Sequence, residues 1–214
     1  MLNLPLTRAG LLTVLVACGA STSPESPRAA TATARATEAS AAIALADAQA
    51  ALAALAVEEH TSAPARVVVR AKLDADVDTV WSYVSNHDNL VEYSNGVLTG
   101  ADIDRSDSDG TNGVGAKRTC EAGDDRFVER IVYFRAPYVF AYQAVENTWG
   151  LAEHLAVVAL EPTEDGGTLL SWTQHFDGPS PEATQMLTQN IDGMLEGRLL
   201  GFLTERFGGS VLRG

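Results

Sequence analysis

Positive charge is scarce in this chain: 15 lysines and arginines face 28 aspartates and glutamates over 214 residues, a formal net charge of −13. A nucleic-acid surface needs a basic footprint, and no cluster of basic residues supplies one, so no nucleic-acid partner is expected. Docking by charge on an anionic bilayer is disfavoured on the same ground. The four histidines lie far apart, at His60, His87, His154 and His175, without the close ligand spacing of a zinc site. The acidic stretch Asp102 to Gly110 has its glycine misplaced for a twelve-residue calcium loop and no closing glutamate, so no metal is expected. Glycine-rich phosphate loops are missing, since Gly208-Gly209 follows a helix rather than opening one. No Gly-x-Ser-x-Gly elbow exists, which leaves nucleophilic hydrolysis without support. No cofactor is expected, and no internal repeat is visible.

The apolar run near the start of the chain is short. The most apolar stretch, Ala9-Gly-Leu-Leu-Thr-Val-Leu-Val-Ala17, is too short for a permanent membrane helix but suits a secretory signal, with Arg8 before it. Residues 1–17 are therefore expected to be a signal peptide. Leu15-Val-Ala-Cys18 looks like a bacterial lipobox, which makes Cys18 the lipidated first residue of the mature protein. Acylation contributes about 0.8 kcal/mol per buried methylene, enough for a multiply acylated terminus to anchor stably. The expected location is the cell envelope, lipid-anchored to a bacterial membrane on its periplasmic or surface side. With only two cysteines in the chain, a lipidated Cys18 leaves Cys120 alone, and an intramolecular disulfide is impossible. The folded part must stand on its core.

Residues 18–37 are rich in Ser, Thr, Ala and Pro without apolar periodicity, which predicts a flexible tether. Alanine dominates residues 38–62, and Leu45, Ala48, Leu52, Leu55 and Glu59 form a narrow stripe along a helix. Two readings stay open there: a solvated spacer, or a helix that docks on the domain or on a second copy. The domain itself is expected over residues 63–209, with 210–214 as a tail.

Within that domain the element signals come in a definite order. Arg66 to Leu73 mixes β-branched residues and charges as a strand does. Val77, Val80, Trp81 and Val84 fall at helical spacing behind Asp76, a candidate N-cap. Short periodic segments then alternate with turns at Asn95-Gly96, at Asp102 to Asn112, at Gly113-Val-Gly115, at Ala136-Pro137 and at Glu146-Asn147. Glu164-Asp-Gly-Gly167 joins the last two strands as a hairpin. After Ser180-Pro181, a cap followed by proline at the first helical position, Leu187, Ile191, Met194, Leu195 and Phe202 mark a long closing helix. The order predicts an α+β fold in which a curved antiparallel sheet wraps around the C-terminal helix and encloses a pocket.

Val80-Trp-Ser-Tyr-Val84, Gly113-Val-Gly115 before a basic strand, Glu129-Arg-Ile131, Ala136-Pro-Tyr138, Gly166-Gly-Thr168 before Leu170-Ser-Trp172, and the closing helix carry a resemblance. Together, over about residues 66–207, they resemble the START-like, helix-grip (SRPBCC) superfamily, in particular its polyketide cyclase/dehydrase and lipid-transport branch. That resemblance implies a hydrophobic small-molecule ligand such as a lipid, sterol, quinone or polyketide held between sheet and helix. It also allows an alternative, a cyclase or dehydratase acting by acid–base chemistry. Fold alone does not choose between them.

Strand alternation names the candidate site residues. Phe127, Glu129, Ile131 and Tyr133 share one face, expected to point inward because the other carries Arg126 and Arg130. Glu129 on an apolar inner face is a candidate acid, base or ligand anchor, or else a carboxylate satisfied by Arg118 or a backbone amide. Tyr142, His154, Trp172 and Gln174 are further ligand candidates, each also readable as core. The face of His154 is open, since His154, Ala156, Val158 and Leu160 or Leu155, Val157 and Ala159 could point inward. Gly193, Gly197 and Gly201 line one side of the closing helix, at about 1 kcal/mol each relative to alanine. Either the helix approaches the sheet closely there, or Gly197 leaves room for a ligand.

Overall fold

The computed structural model describes residues 27–212, with side chains from Glu38 onward; the expected signal peptide, Cys18 and the first part of the tether lie outside the described residues. The chain opens with α1 (Pro27–Ala53), followed by a short turn of 3₁₀ helix at Val57–Glu59. Helix begins eleven residues before the expected boundary at 38, because the segment after Pro27 is itself alanine-rich and proline suits a first helical position.

Strand β1 (Ala65–Leu73) leads into α2 (Val77–Val84) and, after a 3₁₀ turn, the four-residue α3 (Leu90–Tyr93). Asp76 caps α2 by accepting the Thr79 amide at 2.8 Å, as its position before the apolar run suggests. Six strands follow: β2 (Gly100–Asp104), β3 (Lys117–Ala122), β4 (Asp125–Arg135), β5 (Val139–Asn147), β6 (Ala152–Pro162) and β7 (Thr168–Asp177). The expected turn at Asp102 to Asn112 thus starts three residues late, since β2 reaches Asp104 against β3. The closing helix comprises α4 (Pro181–Met194), a π-helical stretch (Leu195–Leu200) and α5 (Gly201–Phe207). Ser180 caps it by accepting the Ala183 amide at 3.1 Å.

All neighbouring strands are antiparallel, in the order β2-β3-β4-β5-β6-β7-β1-β8. The last of these, β8 (Ser210–Leu212), pairs with Arg70 to Lys72 of β1. Residues expected as a tail therefore complete the sheet edge. The turn into β8 depends on Gly209 at φ +102, where a Cβ would sit 2.0 Å from the Lys72 carbonyl oxygen; only glycine fits.

The concave face packs Val69, Leu73, Ile131, Phe140, Leu160 and Trp172 against Leu187, Ile191, Leu195 and Leu203 of the closing helix. The helix is gripped, as the order of elements predicts. The convex face is apolar too across β5 and β6, where Val139, Ala141, Leu155, Val157 and Ala159 meet Ala51 and Leu55. The C-terminal part of α1 therefore docks on the domain. Tyr133 donates to the Ala51 carbonyl at 2.7 Å and Gln143 to the His60 carbonyl at 2.7 Å, which pins this segment to the sheet. By length and composition Glu38–Glu59 is also apolar enough to cross a membrane.

One expectation on β4 is corrected here. Its register against β5 shifts between Ile131 and Tyr133, so a bulge reverses the alternation. Tyr133 turns outward to α1, and Phe134 enters the core instead, with its ring centroid 5.0 Å from that of Trp81.

Candidate functional site

Between the concave face and the closing helix lies a cavity of about 100 Å³, traced by the centre of a water-sized sphere. The lining is apolar for the most part. Leu90, Val97 and Leu98 come from α3 and the loop after it, Phe127, Trp149 and Leu151 from one end of the sheet, and Met194, Leu195 and Leu199 from the closing helix. Trp149 meets Phe127 edge to face at 4.9 Å, so two half-buried aromatic rings stand at one end of the cavity.

The deeper part is polar, and strand register explains why its residues meet. Arg118 of β3 lies opposite Glu129 of β4, and Nη2 approaches Oε2 to 2.6 Å. The arginine side chain is 1% exposed and the carboxylate 16%. Cys120, two residues along the same face, places Sγ 3.7 Å from Glu129 Oε2. The guanidinium also stacks over the Tyr142 ring, with Cζ 4.1 Å from the centroid, a cation–π contact that strengthens when desolvated. Nε and Nη1 of Arg118 are buried without any hydrogen-bond acceptor.

On the neighbouring strands, His154 sits under Tyr142 with ring centroids 5.9 Å apart. Its Nδ1 accepts from the Ala144 amide at 2.9 Å, so the proton resides on Nε2, which donates to Gln174 Oε1 at 2.8 Å. Both ring nitrogens are thus engaged by the protein.

Burial and neighbouring charge set the protonation states. Burial is the largest single influence on Arg118 and works against its charge, but Glu129 together with Tyr93, Tyr142 and Cys120 outweighs it and holds the guanidinium protonated. Burial pushes the Cys120 thiol up, reinforced by Glu129, so it stays a thiol. The Tyr142 phenol is raised by burial and then by Glu129. His154 is lowered, chiefly by burial. Just outside the lining, His87 donates from Nε2 to the Asn112 carbonyl at 3.0 Å, and burial, then the Arg118 charge, lower it to about 3.

Five of the six ligand candidates, Glu129, Tyr142, His154, Trp172 and Gln174, line this one cavity. Gly197 does not. It sits on the exposed side of the closing helix, and a Cβ there, or at Gly193, would meet nothing within 4 Å. Neither close approach to the sheet nor room for a ligand explains the glycine stripe. The face directed to the cavity belongs to Ile191, Met194, Leu195 and Leu199, while Gly193 and Gly197 share the exposed face. The open question on β6 closes in favour of His154, Ala156, Val158 and Leu160 as the inner face. Alternation named Glu129 but offered Arg118 only as its possible partner; the signal was an arginine two residues from a cysteine on one strand face. Among the described residues no group of three or more His, Cys, Asp or Glu is placed to hold a metal ion.

An antiparallel sheet closed over a C-terminal helix, with an apolar cavity between them, defines a helix-grip protein. The chain belongs to the polyketide cyclase / dehydrase and lipid transport family, whose model matches residues 64–204. Solved structures agree on the fold. A protein of Thermobifida fusca, determined by NMR in solution, aligns at 24% identity and a TM-score of 0.57, over 66% of this chain and 92% of its own. A Nitrosospira multiformis protein aligns at 19% identity and 0.54, over 67% and 96%. Truncated norcoclaurine synthase of Thalictrum flavum aligns at 13% and 0.55, over 68% and 94%; a further structure of that synthase is a complex with dopamine and hydroxybenzaldehyde. At these identities the likeness is one of fold alone. No curated protein matches the chain in sequence.

Proposed function

We propose that the protein is an envelope lipoprotein that holds a compact hydrophobic or amphipathic molecule between sheet and closing helix, as carrier or sensor. The mainly apolar cavity between sheet and closing helix carries this reading. By the same measure of volume a single water needs ~10–15 Å³, so the space suits a molecule of about one or two rings better than a long acyl chain. The single-ring compounds in the norcoclaurine synthase complex are of that size class. Native mass spectrometry with solvent extraction, on the chain purified from a bacterial host, tests it. The expected result is a retained adduct of low mass; an unliganded protein that takes up no added aromatic compound contradicts it.

The cyclase or dehydratase alternative has less support. A general base needs a free lone pair within reach of the substrate; His154 is engaged at both nitrogens, and on Glu129 the oxygen Oε2 is taken by Arg118 and Cys120, which leaves Oε1. The phenol of Tyr142, raised in pKa, is a weak acid at neutral pH.

Anchoring through Cys18 rests on the lipobox-like sequence. Labelled palmitate should enter the protein in a bacterial host and be lost in Cys18→Ser; equal labelling of both contradicts the anchor.

A further inference from the structure

The short segment His60 to Ala63 lies before the family's matched region of 64–204 and is fastened to three neighbouring strands. Gln143 of β5 donates to the His60 carbonyl at 2.7 Å, the Thr61 hydroxyl donates to the Glu153 carbonyl of β6, and Nδ1 of His175 on β7 donates to the Ala63 carbonyl at 3.2 Å. Each fastened residue is next in sequence to residues that line the cavity: Tyr142 and Ala144, then His154, then Gln174. The segment therefore holds the polar wall of the cavity from behind.

The fastening on β6 is the informative one. On a regular strand, residues three apart point to opposite faces. Leu151 and His154 nevertheless both line the cavity, while Ala152 between them is exposed. Pairing with β7 explains it: Ala152 lies opposite Asp177 and Leu155 opposite His175, so three steps along β6 match two along β7. This is a bulge, and it turns on Glu153, whose φ of +50 is left-handed. Side chains seldom adopt that conformation, and it persists only where the surroundings impose it. Here Thr61, itself buried, holds the Glu153 carbonyl, and the Ser62 hydroxyl donates to the Glu153 carboxylate at 3.3 Å.

We propose that His60 to Ala63 is a positioning element of the cavity and that Glu153 is the residue through which it acts. Thr61 keeps the bulge, and the bulge keeps Leu151 at the cavity wall and His154 between the Ala144 amide and Gln174. The proposal rests on the pocket reading above and adds a means of regulating that site. Helix α1 leads into this segment, so a displacement of α1 from the convex face reaches the cavity on the concave one.

Three substitutions in the full chain test it. Glu153→Gly keeps the left-handed backbone accessible. Glu153→Val opposes it, since a β-branched residue is an outlier there, and Thr61→Val removes the hydroxyl that holds the carbonyl. The first measurement is nitrogen NMR of the His154 ring, where the unmodified chain should show one tautomer, protonated at Nε2. A loss of stability alone leaves that tautomer unchanged in the folded protein. The second is toluene affinity, followed through the Trp149 and Trp172 indole resonances. Glu153→Gly should keep both the tautomer and the affinity. Glu153→Val and Thr61→Val should give mixed tautomers and weaken toluene by about 4-fold or more, the equivalent of one buried methylene.

An unchanged tautomer and affinity in Thr61→Val, or damage by Glu153→Gly equal to that by Glu153→Val, overturns the proposal and leaves the pocket reading standing. Should Glu153→Val fail to fold, the other two variants decide. If toluene binds to none of the proteins, the unmodified one included, the pocket reading falls, and the tautomer alone decides the positioning role.

Discussion

Arg118 and Glu129 show how a residue pair can be costly and still retained. Removing one partner of a buried ion pair leaves an uncompensated charge, so Arg118→Met alone should destabilise the fold by about 3–5 kcal/mol, and the pairing with Glu129→Gln should recover much of that. Chemical denaturation of both variants checks it; equal losses would mean the pair is not coupled. His87 gives a pH signature. Its folded value of about 3 lies below the ordinary 6.5, so between these values the unfolded chain binds a proton that the folded chain refuses. Stability from this group is therefore complete above pH 6.5 and is lost progressively as the pH falls toward 3. His154, also lowered, acts in the same direction. Denaturation midpoints should fall between pH 6.5 and 5, before most carboxylates titrate, and fall less steeply in His87→Gln. An unchanged slope would show that His87 protonates freely in the folded state.

Elements were legible in the sequence where a local rule dictates them. Asp76 and Ser180 cap because a short acceptor precedes an apolar helical pattern, and β7 alternates cleanly through Leu170, Trp172, Gln174 and Phe176. The inner face of β6 was ambiguous for a physical reason: α1 buries the outer face as well, so both alternations are apolar. Tyr133 was misplaced because a bulge leaves no mark in a β-branched run. Gly197 was misplaced because four-residue spacing shows that glycines share a helix face without showing which face it is; Gly193 and Gly197 share the exposed one. Three element-scale predictions follow. Leu55 is 1% exposed against the outer face, so Leu55→Ala should cost about 2–4 kcal/mol, and deletion of residues 38–59 should lower the melting temperature; an unchanged temperature contradicts docking. Gly193 is exposed with open space around its Cβ position, so Gly193→Ala should add about 0.5–1 kcal/mol of stability and leave ligand binding as it is.

At the scale of the whole molecule, the sheet has two apolar faces with different occupants. The convex one is closed by α1, a segment outside the family's matched region of 64–204; the concave one is closed by the helix that follows Ser180 and keeps a cavity. The order of elements sufficed to predict the grip. Its chemistry was less legible, because the polar cluster assembles from β3, β4, β5, β6 and β7 and depends on the register of four successive strand pairs, with shifts in two of them. The central claim is that a compact apolar molecule occupies that cavity, and the tryptophans report on it directly. Trp149 and Trp172 line the cavity, whereas Trp81 packs in the core against Phe134 and Phe140. Adding toluene to the labelled protein and following the indole N–H resonances by NMR should shift Trp149 and Trp172 and leave Trp81 in place. Three unmoved resonances, or a shift of Trp81 alone, would contradict the account.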